Sequence, residues 1–116
     1  MITIYQIRLS DSDCVSINAR GWSATTKTDA YASMRMGGAD KWKPQYTSYY
    51  EAVYEVDTND LDHAFEATNL WESNTVKRLQ RGSSSSVGDI FVKDGDCYIV
   101  DNFGFTNVGK YELGVN

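Results

Sequence analysis

The sequence predicts an α+β fold in a single domain spanning residues 1–116: a mainly antiparallel sheet with a C-terminal hairpin and two or three helices packed on it. Three observations lead there. Segments that alternate apolar and polar residues are mixed with segments of helical spacing, and no regular strand–helix repeat of a parallel sheet is present. Asp94-Gly95 stands between two apolar runs, the dipeptide that best tolerates the positive φ angles of a type I′ turn. A length of 116 residues leaves room for one domain, and 41% hydrophobic with 13% aromatic residues supply its core.

Ile2 to Leu9 carries the β-formers Ile2, Ile4, Tyr5, Ile7 and Leu9 and reads as the first strand. Ser10 is a helix N-cap, Asp11 and Asp13 suit the positive end of the helix dipole, and Gly21 after Arg20 is a stop. A helix over Asp11 to Arg20 follows, although Cys14, Val15, Ile17 and Ala19 are imperfectly periodic. From Gly21 to Ser48 the pattern dissolves around Thr25-Thr26-Lys27-Thr28, Gly37-Gly38 and Pro44, leaving only a short helical turn at Asp29 to Arg35.

Tyr49 to Asp57 alternates strictly, which places Tyr50, Ala52, Tyr54 and Val56 on one face and Tyr49, Glu51, Val53 and Glu55 on the other. Asp57 or Thr58 can cap the next helix, whose Leu61, Ala64, Phe65, Thr68 and Trp71 form its apolar stripe, with Leu61 and Phe65 buried. Asn69 to Asn74 ends it. Val76 to Gln80 reads as a further helical turn before the loop Arg81-Gly82-Ser83-Ser84-Ser85-Ser86. Ile90 to Lys93 and Cys97 to Val100 flank Asp94-Gly95 as a hairpin, and Asn102 to Val108 adds a short strand through Phe103 and Phe105.

Several function classes drop out on composition. The apolar runs fall far short of the ~20 residues of a membrane span, and Met1 to Gln6 lacks the basic and apolar regions of a signal peptide. A cytoplasmic protein with no membrane partner is expected. Cys14 and Cys97 read as reduced, buried small hydrophobes. One imidazole, His63, and no Cys-x-x-Cys argue against structural zinc. In Asp57-Thr58-Asn59-Asp60-Leu61-Asp62, Leu61 holds a calcium-ligand position and Thr68 stands where a glutamate is required. Neither a metal nor a cofactor is expected.

The serine-rich stretch to Asp89 lacks the Gly-Lys-Ser/Thr of a phosphate-binding P-loop and reads as a loop whose serines bond the backbone. A serine nucleophile needs a base alongside, and the sole imidazole sits on a helix that sequence alone does not place there. No catalytic residue is assigned, and the protein is expected not to be an enzyme.

Charge is more informative. Residues 1–50 hold six Lys/Arg and four Asp/Glu, net +2, whereas residues 51–116 hold five and twelve, net −7. Between Glu51 and Glu72 seven acidic residues, including Glu51, Glu55, Asp62 and Glu66, occur with no Lys or Arg. Such a block is either a solvated face or a surface that steers a basic partner, and it repels nucleic acid. Arg35, Lys41, Trp42, Lys43 and Tyr46 interleave cations and aromatics. Trp42 and Tyr46 either cover the sheet or anchor a protein interface, and single-stranded nucleic acid is disfavoured by the net charge of −5.

Arg81, Ser84 to Asp89, Ile90, Asp94-Gly95, Tyr98, Val100 and Phe103-Gly104-Phe105 together resemble a pattern of small bacteriophage and plasmid accessory proteins related to the YodL-like domain, Arg-Ser-x-Ser-Val-Gly-Asp followed by Asp-Gly and Phe-Gly-Phe. Here one extra residue separates Arg81 from the Ser-x-Ser-Val-Gly-Asp element. The strand-to-helix unit from Tyr54 through Leu61 and Phe65 is similar too, so the resemblance covers about the last two-thirds of the chain. It implies no transferable catalytic activity, and it implies an accessory role in a bacterial host cell. The expected function is therefore binding, with inhibition as its concrete form, of a host protein with a basic surface. Glu51, Glu55, Asp62, Glu66, Trp42 and Tyr46 are the candidate interface residues, and homo-oligomerisation stays open. The alternative is an enzyme or small-ligand binder using the Ser83–Asp89 loop with Asp101 and Asn102.

Overall fold

A computed structural model describes residues 1–70 and 74–114, and in it the two periodicities of the sequence become six strands and three α-helices. The order is β1 (Ile2–Ile7), α1 (Asp11–Arg20), α2 (Thr26–Gly37), β2 (Tyr50–Val56), α3 (Leu61–Leu70), β3 (Val76–Arg78), β4 (Ile90–Lys93), β5 (Asp96–Val100) and β6 (Phe105–Gly109). Turns of 3-10 helix at Trp22–Ala24, Gly38–Lys41 and Pro44–Tyr49 join the first half. The strands form one antiparallel sheet in the order β3-β2-β1-β4-β5-β6, so the α+β architecture is the one predicted.

Helices cover both faces of this sheet. On one, Ile2, Ile4, Tyr54, Val56 and Phe91 pack with Ala64 and Ala67 of α3. On the other, Ile7, Tyr50, Ile90, Cys97 and Ile99 pack with Ala30 and Met34 of α2. α1 buries none of its residues, which is why its spacing is imperfect. It is held by a reciprocal capping box between Ser10 and Asp13 and by Lys27 of α2, whose ammonium lies 2.7 Å from Asp13.

A β-bulge breaks the predicted alternation of β2. Ile4 opposes Tyr54 but Tyr5 opposes Ala52, so Val53 is an extra residue. Tyr54 and Val56 stay on the Ile2 and Ile4 face, whereas Tyr50 and Ala52 oppose Ile7 and Tyr5 on the other, and Val53 is itself fully buried. Glu51 therefore opposes Gln6 and Glu55 opposes Thr3, on opposite faces of the sheet. The single row expected for these two carboxylates does not form.

Four other expectations are corrected. The stretch that looked irregular contains the twelve-residue α2, started by a capping box in which Thr25 and Thr28 exchange side-chain to backbone bonds of 3.1 Å. Thr28 is fully buried, and the bond its hydroxyl donates to Trp22 O at 2.6 Å offsets the cost of burying that group. Asp60, not Asp57 or Thr58, caps α3, accepting from the Asp62 and His63 amides at 2.9 and 3.2 Å. Ala64, Ala67 and Thr68 are the buried positions of α3, while Leu61 and Phe65 are half-buried. Val76–Arg78 is an edge strand on β2 rather than a helical turn, because pairing there satisfies backbone groups that a single turn would leave open.

The Asp94-Gly95 turn is as predicted, with φ of 52° and 83°. Cys97 is buried but Cys14 is exposed on α1, and both are free thiols. Trp71 and Glu72 lie outside the described residues. Among the described residues no helix is long and apolar enough to cross a membrane, and no group of three or more His, Cys, Asp or Glu side chains is placed to hold a metal ion.

Candidate functional site

Residues 81–89 have no repetitive structure, so their backbone groups need partners elsewhere. β1 supplies them through Gln6, which follows Ile2 and Ile4 onto the α3 face and is buried. Its amide nitrogen donates to Ser83 O at 2.9 Å and to Asp89 Oδ2 at 3.0 Å, and its oxygen accepts from the Ser83 amide at 3.0 Å. Asp89 Oδ2 also accepts from the Ser86 amide at 3.0 Å. The hydroxyl of Tyr54 donates to Ser83 O at 3.0 Å and that of Tyr50 to Gly88 O at 2.7 Å. Gly88, at φ 94°, lies so close to α2 that a Cβ there would sit 2.6 Å from Met34 O.

Asp89 is only 3% exposed. Burial pushes its carboxyl up to about 7, with the Arg35 guanidinium and the Ser86 and Gln6 bonds offsetting part of the penalty. Burial, followed by the Asp89 charge, raises the Tyr50 hydroxyl well above its ordinary range.

Three of the four loop serines are committed to structure. Ser85 Oγ lies 2.5 Å from Thr68 Oγ1 of α3, Ser86 Oγ accepts from Arg35 Nη1, and Ser83 Oγ donates toward Ser84 O at 3.4 Å. His63 takes part in none of these contacts. Asp101, the other polar group of the ligand-binding alternative, ties the 3-10 turn at Ala39 to β6: it accepts from the Ala39 amide at 2.9 Å and from the Thr106 hydroxyl. Asn102 is exposed in the β5–β6 turn.

Beside the loop, a cleft of about 220 Å³ opens between the C-terminal end of β1, α2 and residues 81–83, and Arg8, Arg35 and Arg81 all line it. Arg8 is fixed by bonds from Nε to Arg81 O at 2.6 Å and from Nη1 to Gln80 Oε1 at 3.1 Å. The Arg35 guanidinium lies 4.9 Å over the ring of Tyr31, which stacks in turn on Trp22 at 5.6 Å. Sequence reasoning missed this grouping because the three arginines come from a strand, a helix and a loop far apart in the chain.

The predicted interface residues do not assemble into one surface. Glu51 lies 3.5 Å from Arg8 and Glu55 lies 3.9 Å from Lys77, cations that come from outside the acidic block. Asp57, Asp60, Asp62 and Glu66 are exposed at and beyond the start of α3. There Asp60 and Asp62 flank an open groove of about 660 Å³ whose walls include Leu61, Phe105 and Lys93.

Trp42 and Tyr46 cover the opposite sheet face. Tyr46 is buried, and the Trp42 ring meets Tyr46, Tyr50 and Tyr111 edge-on at 6.4, 6.0 and 5.6 Å. The Trp42 Nε1 is buried with no hydrogen-bond partner among the described residues. Compared with protein-family models, with curated proteins and with solved structures, the chain matches none.

Proposed function

We propose that this chain is a non-enzymatic accessory protein of a phage or mobile element that binds, and thereby inhibits, a host bacterial protein with a basic surface. The resemblance of its C-terminal pattern supports the context. The groove at the start of α3 is the observation that carries the binding mode: Asp60 and Asp62 stand exposed beside the half-buried apolar side chains Leu61 and Phe105. Carboxylates around an apolar floor suit a basic segment that inserts one hydrophobic side chain, the charges speeding encounter and the apolar contact slowing release. Asp57 and Glu66 extend the negative field. Lys93 stands in the groove wall, and the Met1 amine donates to Asn59 Oδ1 of that wall at 2.8 Å.

The structure alters which carboxylates belong in the test. Glu51 and Glu55 already face Arg8 and Lys77, so they contribute less to an outward field than Asp62 and Glu66. A host protein captured from bacterial lysate is expected to be lost when Asp62→Lys and Glu66→Lys are combined, and to be retained by Glu51→Gln with Glu55→Gln. Its on-rate should fall as salt rises. Capture indifferent to the first pair and to ionic strength refutes this reading.

A further inference from the structure

We propose that the arginine-lined cleft between β1, α2 and residues 81–83 binds a phosphate group, free or as the monoester of a small molecule. Arg8, Arg35 and Arg81 all line a cavity of about 220 Å³ in a chain whose net charge is −5. Arginine presents a planar fork of donors that matches phosphate oxygens. The bonds of Arg8 to Arg81 O and Gln80 Oε1 use only its Nε and Nη1, and Arg35 uses only Nη1 toward Ser86. Nη2 of both, and the whole guanidinium of Arg81, have no hydrogen-bond partner among the described residues.

Two of the three side chains, Arg8 and Arg35, are held in place before any ligand arrives. Arg8 is braced by the loop it faces, and Arg35 is sandwiched against Tyr31, itself stacked on Trp22. Fixing the forks in advance lowers the ordering cost of binding. Two carboxylates lie near, Glu51 beside Arg8 and the buried Asp89 behind the loop, and neither lines the cleft. The volume is below the ~300–1,000 Å³ of drug-sized sites, which selects a compact anion. Gly82 and Ser83 complete the wall, and a Cβ on Gly82 would sit 2.8 Å from Gln6 Oε1.

Titration of inorganic phosphate into the ¹⁵N-labelled chain at constant ionic strength tests this. Saturable amide shifts are expected in residues 6–9, 31–35 and 81–83, with the Asp60–Asp62 groove unmoved, so the outcome is separate from that of the host-protein reading. Ribose 5-phosphate should produce the same pattern if the monoester is accepted, and acetate should bind more weakly than either. Arg81→Gln removes an exposed, unpartnered side chain and should weaken phosphate by about tenfold without changing stability. Arg35→Lys keeps the charge but loses the fork and should weaken it as well. Shifts that are linear and spread over the surface, equal affinity for acetate, or unchanged affinity in Arg81→Gln would overturn the proposal.

Discussion

Asp89→Asn should change the way stability depends on pH. In the folded chain the Asp89 carboxyl is buried and titrates near 7, against 3.8 for a free side chain. The folded state therefore binds more protons than the unfolded state between about pH 4 and 7. Stability is fully present below the unfolded pKa, falls as pH rises through that window, and stays low above it. A difference of about three pKa units at 1.36 kcal/mol each corresponds to about 4 kcal/mol, a large share of the ~5–15 kcal/mol that holds a typical domain together.

Asparagine is nearly the same shape and cannot ionise, and its carbonyl oxygen can accept the bonds that Gln6 and Ser86 give to Asp89 Oδ2. Denaturant unfolding followed by tryptophan fluorescence at several pH values between 4.5 and 8.5 measures the effect. The Asn variant should gain on the parent chain by up to about 4 kcal/mol as pH rises, then hold that lead. Carboxylates titrating elsewhere, such as Asp13 and Asp96, whose partners Lys27 and Lys110 lower them, act below this window and cancel in the difference. Parallel curves for the two proteins between pH 5 and 8 would refute the placement of Asp89 as a buried carboxylate.

Three further substitutions probe the frame around the sites. Gly95→Val must force a β-branched side chain into φ 83° and should cost ~1 kcal/mol or more, read as a drop in Tm; an unchanged Tm would contradict the turn. Gly88→Ala places a methyl group 2.6 Å from Met34 O, so the 81–89 loop should lift from α2 and its amides should lose hydrogen-exchange protection; retained protection would contradict the contact. Phe91 is fully buried, whereas Phe65 is half-buried with its ring edge-on to Phe105 at 6.5 Å. Phe91→Ala should therefore cost ~3–5 kcal/mol and Phe65→Ala clearly less in the same denaturation assay; the reverse order would mean that α3 is rotated.

Elements whose signal is local could be read directly from the residues. The Ser10 cap with its Gly21 stop bounded α1 to the residue, and Asp94-Gly95 located the hairpin, because each depends on a few neighbouring backbone angles. Tertiary packing overrode local preference elsewhere. Threonines and paired glycines are poor helix formers, yet Thr26 to Gly37 is helical because Ala30 and Met34 close the Ile7 face of the sheet. Val53 is an extra residue only in relation to its partner strand, and nothing within Tyr50 to Val56 announces it. The candidate sites divide the same way. Acidic residues crowded in sequence were visible at once, whereas the arginine cleft exists only after β1, α2 and the 81–89 loop have met.

The spatial separation of charge differs from its separation along the chain. In sequence the first half is positive and the second negative, but Arg8, Arg35 and Arg81 come from both halves and share one cleft. That cleft is lined by Gln6 to Leu9, at the C-terminal end of β1, while Met1, at its N-terminal end, bonds Asn59 in the wall of the acidic groove. Six strand residues at ~3.3 Å each put about 20 Å between the two, roughly twice the ~8–10 Å over which charges act at physiological salt. An anion in the cleft therefore does not neutralise the groove, and a basic partner on the groove does not compete for the arginines. Glu51 sharpens the division: the Val53 bulge turns it to the face of Gln6, opposite to Glu55, and Arg8 meets it there. Without the bulge Glu51 and Glu55 would line one face together, and the acidic surface would run toward the cleft.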